Sequence, residues 1–326
     1  MKGNIMHKSR LALLPPTVLC LLTLLSAIAD AQTPQPGFAD ALLGRWDLTV
    51  QAPDGAYPSW VEISLRKETE LMGRFVGRFG SNRYIAQIDY KDGELFFRVP
   101  VQYETNSSDL VFKGKLSGNR LEGTTESADG KTLTWVGVRT AEMARTARPQ
   151  WGKPIRLLNG KDLTGWKLRS NDRGNCWAAA GGTLTNNVPC VDIISEQKFT
   201  DFKLHLEFNI VEKSNSGVYL HGRHEVQIND DFGKATDSLR MGGVYGFLRP
   251  AVNAAAKPGE WQSYDITLIG RRVTVILNGK TIIDNAEIPG ITGGALDSDE
   301  GAAGPLMLQG DHGKVSFRNI VITPAQ

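Results

Sequence analysis

The chain has 326 residues and is close to electroneutral: Lys+Arg 37 against Asp+Glu 35 gives a formal charge of +2, with 41% hydrophobic and 8% aromatic residues. This is a globular composition, and the lack of a basic excess excludes a nucleic-acid groove. Thirty-five glycines, many at turn-like spacing, favour many short strands over long helices, and the length suits one large domain or two of ordinary size.

The N-terminus reads as an address. Lys2, Lys8 and Arg10 lead into an apolar stretch, Leu11–Ile28, interrupted by Pro15 and Pro16. Ala29-Asp30-Ala31 then offers small residues where a signal peptidase reads. Residues 1–31 are expected to be a secretory signal cut before Gln32, which makes the mature chain secreted or periplasmic. A membrane anchor is the competing reading, but the run is short and broken by prolines. No lipobox pattern surrounds Cys20, and no later segment has the length of an unbroken apolar span. Cys176 and Cys190 remain in the exported chain. An oxidising compartment predicts a disulfide between them, two buried free thiols being the alternative.

From Phe38 onward no helical period of convincing length occurs; short candidates are Phe38–Leu43 and Ala141–Thr146. Val61, Ile63 and Leu65 alternate with Glu62, Ser64 and Arg66. Turn signals follow at Asp54-Gly55, Asp92-Gly93, Ser117-Gly118-Asn119 and Asp129-Gly130. Residues 38–140 are therefore expected to form a small antiparallel β-barrel or sandwich. Gly44-Arg45-Trp46 resembles the Gly-x-Trp opening of lipocalin-like and avidin-like barrels, with Trp46 read as a core plug. Residues 141–153 carry no strand pattern and read as a linker.

The remaining stretch, 154–324, is read as a jelly-roll-type β-sandwich. Phe202, Leu204, Leu206, Phe208 and Ile210 alternate strictly with Lys203, His205, Glu207 and Asn209, which predicts a half-buried antiparallel strand. Asn278-Gly279 between Val273–Leu277 and Thr281–Ile283 predicts a hairpin. A second hairpin is expected from Leu306–Gln309 and Val315–Ile320, turning at Gly310-Asp311-His312-Gly313. Strands without crossover helices imply two packed sheets.

The chemistry-bearing residues cluster in this second part. In His224–Asp230, strand parity puts Glu225, Gln227 and Asn229 on one face and Val226 and Ile228 on the other. With the apolar pair in the core, the polar face would be an exposed sheet surface where a carboxylate and amides match sugar hydroxyls. Asn215–Arg223 reads as a turn and strand paired with it, bringing Asn215, Tyr219 and the cation Arg223 nearby. Gln309 and the turn residue His312 add an amide and an imidazole suited to proton exchange near neutral pH. Tyr245 and Trp261 are possible stacking platforms. Metal and cofactor are not expected: Asn229-Asp230-Asp231 and Asp297-Ser298-Asp299-Glu300 could hold a structural calcium, but neither has the spacing of a calcium loop.

Leu158-Asn159-Gly160-Lys161-Asp162-Leu163-Thr164-Gly165-Trp166 resembles the opening motif of the 3-keto-disaccharide hydrolase domain family. Asn215-Ser216-Gly217-Val218-Tyr219, Glu225-Val226-Gln227 and Gly259-Glu260-Trp261 resemble its later blocks, as do Gly304–Gly313 with Phe317-Arg318-Asn319-Ile320. The ordered set covers roughly residues 152–324. Gln262 and Ser263 depart from the Asn and Thr usual after the tryptophan, and Leu220-His221-Gly222 replaces the usual segment before the arginine.

The resemblance implies an all-β, concanavalin-like sandwich and hydrolysis of glycosides oxidised at C3. It also implies partnership with a separate sugar 3-oxidoreductase that makes the ketone. A C3 ketone acidifies the C2 hydrogen, so a base, an acid and a stabiliser of the enolate suffice to expel the C1 substituent before water adds. On this reading Glu225 and His312 share the acid and base roles in either order, and Gln227, Gln309 or Arg223 hold the ketone and hydroxyls. A non-catalytic carbohydrate-binding module on the same sandwich is the main alternative. A retaining glycosidase needs a second carboxylate close to the first, and Glu225 has only amides beside it on its own strand. A third reading makes the first domain the ligand holder and the sandwich its scaffold.

Overall fold

The computed structural model describes residues 39–66, 70–145, 147–172 and 174–326. The expected signal peptide lies outside them. Pro36–Gln326 form one compact unit, and every regular element described in it is a strand. No helix among the described residues is long and apolar enough to cross a membrane.

The first part is a meander of β1 (Gly44–Gln51), β2 (Tyr57–Arg66), β3 (Glu70–Val76), β4 (Arg83–Tyr84), β5 (Gln87–Lys91), β6 (Glu94–Val99), β7 (Leu110–Ser117), β8 (Arg120–Glu126) and β9 (Thr132–Arg139). Successive strands pair antiparallel except β4 and β5, and β9 returns to pair with β1. β4 and β5 act as one bent stave that pairs with β3 at its start and β6 at its end. Ile85 N donates to Gly73 O and Ala86 N to Arg98 O. The ring is thereby closed into a barrel, which removes sheet edges.

Period-2 alternation sends Trp46, Leu48 and Val50 inward, all fully buried. Trp46 plugs the barrel, its Nε1 donating to Leu42 O at 2.9 Å. The Asp92-Gly93 turn adopts the two positive φ angles, 53° and 80°, that a tight hairpin demands. The two helix candidates are not helices: residues 39–43 form a turn and 141–145 are irregular.

The second part has two sheets. Their strands are β10 (Ile155–Arg156), β11 (Trp166–Leu168), β12 (Trp177–Ala180), β13 (Thr183–Asn186), β14 (Ile193–Phe199), β15 (Phe202–Ile210), β16 (Asn215–Leu220), β17 (His224–Asn229), β18 (Gln262–Ile269), β19 (Arg272–Leu277), β20 (Lys280–Glu287), β21 (Gly304–Leu308) and β22 (Val315–Pro324). One sheet runs β12-β13-β22-β15-β18-β19-β20 with β10 beside β22; the other runs β11-β14-β21-β16-β17.

They share one apolar core. The inward row of β15 is 1% exposed or less throughout, and each such side chain contributes about 1.5–3 kcal/mol. β19 and β20 form the hairpin expected at Asn278-Gly279. Cys176 and Cys190 are joined by a disulfide with a Cα–Cα distance of 6.0 Å.

One expectation fails here. β21 and β22 are not a hairpin: β21 pairs with β14 and β16, whereas β22 pairs with β13 and β15 in the opposite sheet. The Gly310–Gly313 segment therefore crosses from one layer to the other. The reason is burial: β21 and β22 each send apolar side chains into the shared core from opposite sides.

Barrel and sandwich meet along an apolar seam. Trp60, on the outer face of β2, is fully buried with Val76, Ile291 and Ala295, and its ring meets Phe247 edge-on at 5.5 Å. A Cβ at Gly293 would fall 2.1 Å from Gly80 O, so only glycine permits this approach. Gly294 N donates to Arg78 O at 2.9 Å, and Asn82 Nδ2 donates to Gly246 O. These contacts lay the barrel's 78–82 loop over the outer face of the five-stranded sheet.

Candidate active site

β16 and β17 lie antiparallel with Tyr219 opposite Glu225 and Gly217 opposite Gln227. Val218, Leu220, Val226 and Ile228 face the core. Asn215, Tyr219, Glu225 and Gln227 therefore share the other face, as their spacing requires. That face is a cleft of ≈ 480 Å³, to which the β21–β22 crossing adds Gln309, Asp311 and His312. Glu225, His312, Asn215, Tyr219, Gln227, Tyr245 and Gln309 are thus brought together.

The face is not the exposed surface the sequence suggested. Glu225 and Gln227 are each 3% exposed. Phe79, Gly80 and Tyr103 from the barrel and Gly293-Gly294 from the sandwich also line the cleft. Strand parity names the face but not what covers it.

Burial first, and then the charges of Asp192 and Asp311, push the Glu225 carboxyl up to about 8, against the pull of the Tyr219 hydroxyl and His312. Glu225 is therefore mostly protonated at neutral pH. Tyr219 Oη stands 3.0 Å from Glu225 Oε2 and 3.0 Å from Gly293 O. One hydroxyl hydrogen cannot serve both acceptors, whereas a protonated Glu225 donating to Tyr219, and Tyr219 to Gly293 O, satisfies all three groups. A Cβ at Gly217 would lie 2.2 Å from Glu225 Oε1, so the carboxyl occupies the space this glycine leaves.

His312 Nδ1 is hydrogen-bonded to Asp311 Oδ1. That bond is the main cause holding the imidazole above its ordinary pKa; partial burial opposes it, and the Glu225 and Asp192 carboxyls assist when ionised. The turn that carries His312 is firmly tied. Asn186 Nδ2 donates to Gly310 O at 2.9 Å and to Gly313 O at 2.8 Å, and Gly310 N donates to Asp192 Oδ1 at 3.0 Å. Two amide acceptors, Gln227 Oε1 and Gln309 Oε1, are buried without a hydrogen-bond partner. Such atoms are costly unless a donor reaches them.

Arg169 and Asp192 line the cleft and were not picked out from sequence. Arg169 Nη1 donates to Asp192 Oδ2 at 2.9 Å and to Gly294 O at 2.8 Å. Burial pushes the Asp192 carboxyl up, with Gly310 N and Arg169 opposing. Neither belongs to a local pattern; Asp311, next to His312, was visible to inspection.

Two expected site residues lie elsewhere. Arg223 is buried, donating from Nε to Asp297 Oδ1 at 2.6 Å and from Nη1 to Ala302 O at 2.8 Å. It precedes β17 in a turn where His221 and Gly222 have positive φ, so strand alternation does not extend to it. Trp261 stands beside the eight-stranded sheet, with the Arg318 guanidinium 4.0 Å from its ring centroid. Asn229, half-buried at the end of β17, donates to Asp231 Oδ2. Among the described residues no group of three or more His, Cys, Asp or Glu could hold a metal ion. In the acidic loops Asp297 binds Arg223, Glu300 binds His224 and Arg271, and Asp231 binds Lys234.

Residues 153–323, just over half the chain, match the model of the 3-keto-alpha-glucoside-1,2-lyase-like domain. The chain belongs to this family. The barrel precedes the matched segment. Among similar solved structures is one described as a putative glycosyl hydrolase from Parabacteroides distasonis, 31% identical over 56% of this chain and 94% of that one, with a TM-score of 0.45. The carbohydrate-binding module CBM66 from Bacillus subtilis is 12% identical over 52% of this chain and 99% of that one, with a TM-score of 0.35. A Bacillus licheniformis beta-glucanase is 11% identical over 56% and 100%, with a TM-score of 0.34. No curated protein matches. Membership of the 3-keto-glucoside lyase-like family supports a glycosidase-type enzyme acting on carbohydrate.

Proposed function

We propose that this protein is an exported enzyme that cleaves 3-keto-glycosides and 3-keto-disaccharides, with the ketone supplied by a separate sugar 3-oxidoreductase. A base takes the proton from C2, and the electron pair moves to the C3 oxygen as an enolate. Its collapse expels the C1 oxygen, which takes a proton from an acid, leaving a C1–C2 double bond. Water then adds at C1 and a proton returns to C2. The observation that carries this reading is that Glu225 and His312 line one cleft.

Glu225, in its protonated form, serves as the acid on the leaving oxygen; His312, in its neutral form and oriented by Asp311, serves as the base. Gln227 and Gln309 accept sugar hydroxyls through their unpartnered oxygens. Arg169 and Asn215 are the donors available to the C3 oxygen, in place of Arg223. Asp192 and Asp311 bring further carboxylates to the same cleft, which favours direct two-carboxylate hydrolysis as the second reading.

Incubation with a 3-keto-disaccharide beside its unoxidised parent separates these readings. Release of monosaccharide from the ketone alone is the expected result. Cleavage of the parent alone supports the two-carboxylate route, and binding without turnover supports a carbohydrate-binding module. The roles within the pair are read from leaving groups. Glu225→Gln should lose activity on alkyl 3-ketoglucosides by ~10²-fold or more yet recover on a 4-nitrophenyl 3-ketoglucoside, whose departure needs no acid. Equal loss on both would make Glu225 the base instead.

A further inference from the structure

The barrel carries a cavity of its own, ≈ 460 Å³ in volume, at one mouth. Its floor is apolar: Phe75, Leu110, Phe112 and Leu133 are all buried. Below them the interior is filled, with the Phe97 and Phe112 rings stacked at 4.7 Å and Trp135 edge-on to both. The site is therefore a shallow bowl rather than a channel, and its size falls in the ~300–1,000 Å³ range of small-molecule sites.

Two features say what it would hold. First, the charged groups at its rim, Glu126 apart, are paired with a neighbour. Arg78 pairs with Asp54 at 2.7 Å, Lys131 with Asp129 at 2.6 Å, and Glu104 receives both terminal nitrogens of Arg83. The Arg78 guanidinium also lies over the Tyr57 and Phe79 rings, at 5.1 Å and 5.4 Å from their centroids. An apolar floor inside a rim whose cations are all paired, and whose one unpaired carboxylate, Glu126, disfavours anions, suits a neutral apolar or aromatic group; the cleft, by contrast, offers unpartnered amides suited to hydroxyls. Second, Phe79 and Tyr103 line both the bowl and the catalytic cleft. They are among the most exposed large apolar side chains, at 55% and 64%. The two cavities thus adjoin across one aromatic pair.

We infer that the barrel mouth is the aglycone site: it receives the neutral apolar or aromatic group joined to C1 of the sugar held in the cleft. The inference rests on the proposed glycoside cleavage. It makes the barrel, which lies outside the family's domain, the part that selects among glycosides. Phe79 and Tyr103 then flank the bond being broken, and the released alcohol or phenol leaves through the barrel mouth.

The test uses methyl and n-octyl 3-ketoglucosides of one anomeric configuration, the whole protein, and Ala128→Trp, which fills the mouth from an exposed turn that lines the bowl and not the cleft. The native protein should prefer the octyl compound in kcat/KM by ~10-fold or more, since each buried methylene adds severalfold. Ala128→Trp should abolish that preference while leaving the methyl compound's rate unchanged. Calorimetric titration with 2-naphthol gives a readout independent of catalysis, with binding expected to the native protein and lost in Ala128→Trp. Equal rates on the two glycosides, or naphthol binding absent or indifferent to Ala128→Trp, would overturn the aglycone site. If neither glycoside is cleaved, the proposed reaction fails, and naphthol binding alone decides the barrel mouth.

Discussion

Two glutamates are buried and behave in opposite ways. Glu225 lies in the cleft, and Glu300 lies between Asp47 of the barrel and Arg271 of the sandwich. Burial raises both, yet Glu300 ends below its ordinary pKa. His224 Nε2 at 2.8 Å and Arg271 Nη1 at 2.5 Å outweigh the desolvation. Glu225 receives no hydrogen bond from a cation and ends at about 8. Burial alone thus does not decide a carboxyl's proton affinity. A buried carboxyl tied to cations is part of the frame, and one left to a phenol can exchange its proton. A second carboxyl lies beside Glu300: Asp47 accepts from Thr140 Oγ1 at 2.6 Å and is pushed up to about 8 by burial and the Glu300 charge.

The largest effect expected separates the two acids by activity. Glu225→Gln should lower kcat on an alkyl 3-ketoglucoside by ~10²–10⁴-fold without lowering the melting temperature. Glu300→Gln should do the reverse: a stability loss of ~3–5 kcal/mol in denaturant unfolding, from stranding His224 and Arg271, with turnover per folded molecule retained. Equal effects of the two substitutions on turnover would erase the distinction.

The pH dependence of stability sharpens it. A carboxyl whose folded pKa is raised binds more protons folded than unfolded. Glu225 and Asp47 therefore cost stability as pH rises from the ordinary carboxylate range through about 8. Glu300, held low, contributes stability present above the unfolded carboxylate pKa and lost as pH falls through its folded value. Glu225→Gln should consequently raise the melting temperature at pH 9 relative to pH 6; an unchanged difference between the two pH values would refute the raised acid.

Gly217→Ala should displace the Glu225 carboxyl and lower kcat/KM by ~10-fold, between the cost of losing a catalytic group and none. Overpacking this buried site should also cost about 1–3 kcal/mol of stability, and a crystal structure showing Glu225 unmoved would contradict the packing argument. Trp261→Ala should change least: at an exposed site the Arg318 stack contributes only ~0.5–1 kcal/mol, and cleavage kinetics should stay unchanged because the ring lies away from the cleft.

Much of the architecture was legible because strands announce themselves locally. The alternation in Phe202–Ile210 and the Asn278-Gly279 turn need only nearest neighbours to be read. The same parity gave the correct shared face for Glu225 and Gln227, and the correct core face for Val226 and Ile228. It failed where the chain leaves the strand. Arg223 sits in a turn, where alternation no longer assigns a side. The Gly310–Gly313 reversal marks a change of direction but not of layer, since that depends on which distant strands bury β21 and β22. Arg169 and Asp192 had no local signature, because an electrostatic pair across separate segments is written in no short motif.

By itself, the order of residues determined strands, tight turns, the two faces of β17 and the set of polar groups one of those faces presents, since each depends on neighbours in the chain and on backbone geometry. The tertiary structure decided the rest. Covering that face with the barrel's 78–82 loop removes water from Glu225 and so changes its proton affinity; crossing between layers delivers His312 to the same cleft; and Phe79 and Tyr103 adjoin that cleft only because Trp60 and Gly293 let the barrel approach. Solvation and charge are sums over everything nearby in space, and they come into being only when distant segments meet.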